Sequence, residues 1–133
     1  MIPKTMLKTL AEERLEDAKA LVDAGRYDTA FYMAGYVIEI SLKVRICTTL
    51  NWAEFPDTNR EFQDYRSFRT HNLEVLLNLS GFRHVVHGSY LTEWSTIASW
   101  DPSLRYTLTA LGNTGAAKLI KDVEVLMEVL CKS

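Results

Sequence analysis

The side chains of this chain best suited to chemistry are arginines, histidines and tyrosines. Arg66 and Arg69 stand just before His71, Arg83 precedes His84 and His87, and Arg105 is followed by Tyr106. A histidine changes charge near neutral pH and so serves as a general acid or base. A guanidinium steadies negative charge on a phosphorus-centred transition state. Together these are the parts for metal-free cleavage of RNA. The plainer reading is that the arginines serve solvated faces and salt bridges. A second polar pair lies in YVIEISLKVR, residues 36–45, where Glu39 and Lys43 interrupt an apolar run. Four positions apart on a helix, they share one face, and as a surface pair they would be worth about 0.2–0.5 kcal/mol.

Other chemistries find less support. His84 and His87 are three apart and would share a helical face, but a zinc site needs three or four ligands. Neither HExxH nor CxxC supplies them, so no metal is expected, and no cofactor. There is no GxxxxGK[ST] or GxGxxG phosphate motif and no GxSxG elbow. LGNTGAAKL, residues 111–119, sets two glycines before a helix start, which reads as a cap rather than an anion site. Cys47 and Cys131 read as reduced thiols packed on helix faces.

The elements that must position these residues are helices. Leu7, Leu10, Ala11, Leu15, Ala18, Leu21 and Val22 recur every three or four positions, giving an amphipathic helix over about 5–24, stopped by Gly25. Asp28 reads as the N-cap of a second helix over about 29–49, apolar around most of its circumference and therefore flanked on several sides. Residues 51–70 break the pattern at Pro56, with Trp52, Phe55, Phe62, Tyr65 and Phe68 as apolar anchors and a short helical turn allowed around 59–68. A third helix covers about 71–79 and ends at Gly81. Residues 82–88 are ambiguous between turn and helix. A fourth helix covers about 89–100 before Asp101 and Pro102 stop it. LRYTLTALGNTG is looping or extended, with a weak alternation at 107–111. Asn113 or Thr114 then caps a last helix over about 116–130.

The expectation is one domain over 1–133, all-α, an antiparallel up-and-down bundle of four main helices with room for a short fifth. A chain of 133 residues with 47% apolar and 24% charged residues suits one such core. The net charge of −2 gives no overall basic signature for nucleic acid, so any such binding needs a local patch. No stretch approaches a membrane span and no secretory leader is evident, so a cytoplasmic protein without membrane contact is expected. Trp94, Trp100 and Phe82, read as exposed, would form an apolar patch that favours a dimer.

Four pieces, in order, resemble the HEPN family, the higher-eukaryote and prokaryote nucleotide-binding domain. Residues 11–46 are similar to its opening helical hairpin, with Tyr27 at an aromatic position and Glu39 and Lys43 on an E-x-x-x-K pair. THNL at 70–73 resembles the start of its third helix, SLRY at 103–106 its Arg-Tyr segment, and 116–130 its final amphipathic helix. The resemblance implies a partly covered Glu39 paired with Lys43, Arg45 or Arg105. It implies a polar cluster of Glu39, Lys43, His71, Arg105 and Tyr106 that is structural or binds ligand. Ribonuclease members of the family carry Arg-x(4–6)-His at a dimer interface. Here Arg83 and His87 enclose three residues, and Arg66 and His71 enclose four, with His71 already in the THNL position. The function implied is a non-catalytic HEPN-like domain. It would form a homodimer and bind a nucleotide, RNA or a nucleotidyltransferase partner, as in toxin–antitoxin pairs. The alternatives are a metal-independent ribonuclease using Arg83 and His87, or Arg66 and His71, and a helical scaffold.

Overall fold

The computed structural model describes residues 1–58, 63, 65–106 and 111–132, with side chains at all of these except Arg105 and Tyr106. Six α-helices form among the described residues: α1 Lys4–Asp23, α2 Tyr27–Leu50, α3 Leu73–Ser80, α4 Arg83–Ser89, α5 Leu91–Ile97 and α6 Asn113–Leu130. The all-α bundle expected from the periodicity is what forms. None of the helices is long and apolar enough to cross a membrane. One apolar core draws on all six, from Leu7 in α1 through Leu42, Leu76, Val86 and Trp94 to Leu126 in α6.

α2 lies at the centre and packs on α1, α3 and α6. The α1–α2 hairpin turns at Gly25, which takes φ +74. That left-handed conformation costs glycine little and most other residues more. Asp28 is not the N-cap. α2 starts two residues earlier than expected, at Tyr27, and Asp28 sits in its first turn, where an acid suits the positive end of the helix dipole.

The direction of α3 follows from two contacts. His71, just before α3, meets Glu39 in mid-α2, and Thr49 near the end of α2 donates to the carbonyl of Ser80 at the end of α3 (2.6 Å). α3 therefore runs alongside α2 in the same direction. The segment between them is a return crossover rather than a tight turn. Its beginning is pinned by a two-residue strand pair, β1 Ile2–Pro3 against β2 Glu54–Phe55, antiparallel. Strands this short leave no alternation to be read in a sequence. Trp52, Phe55, Tyr65 and Phe68 pack as an aromatic cluster with ring centroids 5.2 to 6.5 Å apart. The crossover is thus anchored at both ends. Residues 66–68 form a 3₁₀ turn. Phe62 and the rest of the expected helical turn at 59–62 lie outside the described residues, as does the alternation at 107–110.

Residues 82–88 resolve to helix α4, and the expected helix over 89–100 stops early, at Ile97. α6 starts at Asn113 behind Gly112, and neither Asn113 nor Thr114 acts as its cap. The tryptophans are not surface residues. Trp94 is 2% exposed and Trp100 4%, while Phe82 is half-buried. Each indole is buried with its N–H satisfied, Trp94 by Glu74 (2.8 Å) and Trp100 by the carbonyl of Tyr32 (3.1 Å). The apolar patch expected from them does not exist.

Candidate functional site

The interruption of α2 by Glu39 and Lys43 has a geometric explanation. Glu39 is buried, its side chain 5% exposed, and each carboxylate oxygen has a cationic or ring-nitrogen partner. Oε2 accepts from Lys43 Nζ at 3.4 Å, and Oε1 lies 2.7 Å from His71 Nδ1. A carboxylate this covered needs such partners, because an unpaired charge away from water is costly. Lys43 Nζ also lies over the Phe55 ring, 5.4 Å from its centroid, so the aromatic crossover meets the lysine's charged end.

THNL accounts for the position of His71 residue by residue. Thr70 Oγ1 accepts from the backbone N–H of Asn72 (3.0 Å). Asn72 Oδ1 caps α3 by accepting from the N–H of Val75 (3.1 Å). Leu73 is buried in the core. His71 is thus held between two local caps, outside the helix, with its imidazole turned to Glu39. Its side chain remains 63% exposed. With Glu39 ionised, Nδ1 is the protonated nitrogen. Nε2 is left with a lone pair in the neutral ring, or a second N–H in the imidazolium. The arrangement can relay a proton or hold an anion.

A third segment closes on the same place. A side chain at Gly35 would put its Cβ 1.9 Å from the Trp100 ring, so only glycine admits this indole against α2. Tyr36 meets the same ring edge-on at 5.0 Å. Trp100 thereby fixes the chain one turn of α2 from Glu39 and brings Asp101 within electrostatic reach of His71. The Asp101 carboxyl is held below its ordinary range, first by the backbone N–H of Ser103, then by the Ser103 side chain, with His71 adding to the shift. Arg105 and Tyr106 follow in a 3₁₀ turn that packs on α2, but their side chains lie outside the described residues.

The remaining candidates go elsewhere. Arg45 does not reach Glu39; it points to the other end of the bundle, donating to the carbonyl of Lys132 (3.0 Å). Arg83 is held by Glu74 (3.1 Å) and Asn78 (2.7 Å). His87 shares α4 with it, and its Nε2 is buried without a hydrogen-bond partner among the described residues. His84, Arg66 and Arg69 are exposed. Among the described residues no three His, Cys, Asp or Glu side chains are grouped to hold a metal ion.

Helical spacing paired Glu39 with Lys43, and the resemblance grouped them with His71, Arg105 and Tyr106; neither included Asp101 or the Gly35–Trp100 contact. A lone glycine inside an otherwise apolar helix was the available signal, since it often marks a close approach. Compared with known proteins, the chain matches no family model, no curated protein and no solved structure.

Proposed function

We propose that this protein is a non-catalytic HEPN-like domain that binds a phosphate-bearing ligand, a nucleotide or RNA, beside His71. The observation that carries the reading is the exposed imidazole held at 2.7 Å on a buried carboxylate. Its geometry is set before any ligand arrives, which lowers the ordering cost of binding. Exposed Arg66 and Arg69 in the preceding turn supply local positive charge that the net balance of the chain hides. Against catalysis by Arg83 and His87 stand the engagement of Arg83 by two side chains and the burial of His87 Nε2.

The homodimer and the nucleotidyltransferase partner belong to the same proposal and come from the resemblance alone. Sedimentation as a monomer at tens of micromolar removes the dimer from it.

The test is fluorescence polarisation with a labelled mixed-sequence RNA and a labelled ATP analogue, in EDTA, followed by gel analysis of the RNA. Wild type is expected to bind one of the two, and His71→Ala to weaken that binding about tenfold, the scale of one lost charge-assisted hydrogen bond. The RNA should stay intact. Binding of neither probe overturns the reading. RNA cleavage that disappears in a His71→Ala/His87→Ala double variant replaces it with a metal-independent ribonuclease.

A further inference from the structure

Six residues beyond Glu39, and so about 120° around α2, Arg45 is buried under opposite conditions. The residue is 8% exposed, and no carboxylate lies within 4.0 Å of it among the described residues. Its guanidinium lies over the Phe82 ring, 4.3 Å from the centroid, and Nη1 donates to the carbonyl of Lys132. Nε is buried with no partner among the described residues. Burial lowers the affinity of this group for its proton, the expected result of an uncompensated charge away from water. Arginine nonetheless stays protonated in proteins.

This guanidinium lines a cleft of about 450 Å³, bounded by α2, α4 and the end of α6. That volume falls within the range of small-ligand pockets. Phe82, Val85 and Val129 supply apolar wall, and the charged lining residues are Arg45, Lys132 and Glu128. Two cations and one anion leave a net charge of +1, which matches a monoanion rather than a dianion. Nη1 is tied to the Lys132 carbonyl, one face lies against the Phe82 ring and Nε is buried, so a carboxylate in the cleft would meet the guanidinium at its Nη edge.

We propose that this cleft binds a small apolar monocarboxylate, its carboxylate on the Arg45 guanidinium and its hydrocarbon body against Phe82, Val85 and Val129. The site is separate from the one beside His71 and does not depend on that reading.

The probe is benzoate, titrated into ¹⁵N-labelled protein and followed through the Arg45 Nε–H and the amides of Phe82, Val85 and Val129. Benzyl alcohol keeps the ring and removes the charge; inorganic phosphate keeps a charge and removes the ring. Benzoate is expected to give saturable shifts at these positions, with benzyl alcohol and phosphate each at least about tenfold weaker, the scale of one lost charge-assisted hydrogen bond or one ring burial. Arg45→Gln should abolish the benzoate shifts. Val129→Trp should abolish them too while leaving Arg45 in place, so the test survives if Arg45→Gln does not fold. Equal binding of benzyl alcohol reduces the site to an apolar crevice and overturns the proposal. So does tighter binding of phosphate, or the absence of a saturable benzoate shift in the wild type.

Discussion

The two charged sites on α2 differ in how burial is compensated. Glu39 and Arg45 are comparably covered, at 4% and 8% exposure. Glu39 receives Lys43 and His71 from two parts of the chain, so its charge is balanced where it sits. Among the described residues Arg45 receives a ring face and a carbonyl, neither of which carries a formal charge. An acid answered by two bases is a structural clamp with an exposed imidazole at its rim. A base with no acid beside it among the described residues is the basis for the anion proposed above. The difference lies in what neighbouring elements deliver, since the two residues belong to one helix and one apolar run.

The largest effect should come from disturbing what holds the Glu39 side together. Gly35→Ala places a Cβ inside the Trp100 ring, and the indole must leave. Expelling a buried tryptophan should cost about 3 kcal/mol or more in urea unfolding. It should also raise the accessibility of Trp100 to acrylamide quenching; an unchanged midpoint would mean the contact is not as close as described.

Next is the clamp itself. A Lys43→Ala/His71→Ala double variant leaves Glu39 covered and unanswered, and about 3 kcal/mol of stability should be lost. The contrasting variant is Arg45→Met, which removes a buried charge while keeping an unbranched stem against Phe82. Because replacing a buried ion by an apolar residue is often neutral or favourable, its change should stay within about 1 kcal/mol. Equal losses in the two variants would erase the contrast between the two sites.

The smallest effect concerns pH. The Asp101 carboxyl is held below its ordinary value in the folded protein. Its contribution is therefore present above the unfolded pKa and is lost as pH falls through the lower, folded one. The melting temperatures of wild type and Asp101→Asn should differ near neutral pH and converge as pH falls through the lowered, folded pKa. A gap that stays constant with pH would deny Asp101 this role.

Much of the secondary structure was legible because it is local. The stripes of α1 and α6 repeat every three or four residues over many turns, and Gly25 and Gly81 both take the left-handed conformation that stops a helix. The caps were harder. Asn72 caps α3, whereas Asp28 and Asn113 fall inside the helices they were expected to begin. A cap is decided by one residue's backbone angles, which neighbours beyond the segment can shift. The tryptophans were misjudged for a related reason. Trp100 follows α5 rather than belonging to it, and its buried setting comes from Gly35, sixty-five positions earlier.

What the sequence determined by itself is the all-α class, the central and many-sided burial of α2, and the presence of an acid and a lysine on one of its faces. These follow from periodicity and from the hydrophobic cost of leaving such a helix uncovered. Tertiary structure alone decided which partners those charges meet. The return crossover carries His71 back to Glu39, the Gly35–Trp100 contact holds the chain that brings Asp101 within electrostatic reach of His71, and among the described residues the end of α6 offers Arg45 a carbonyl. Each of these joins residues far apart in the chain, and no local rule of spacing encodes such a meeting.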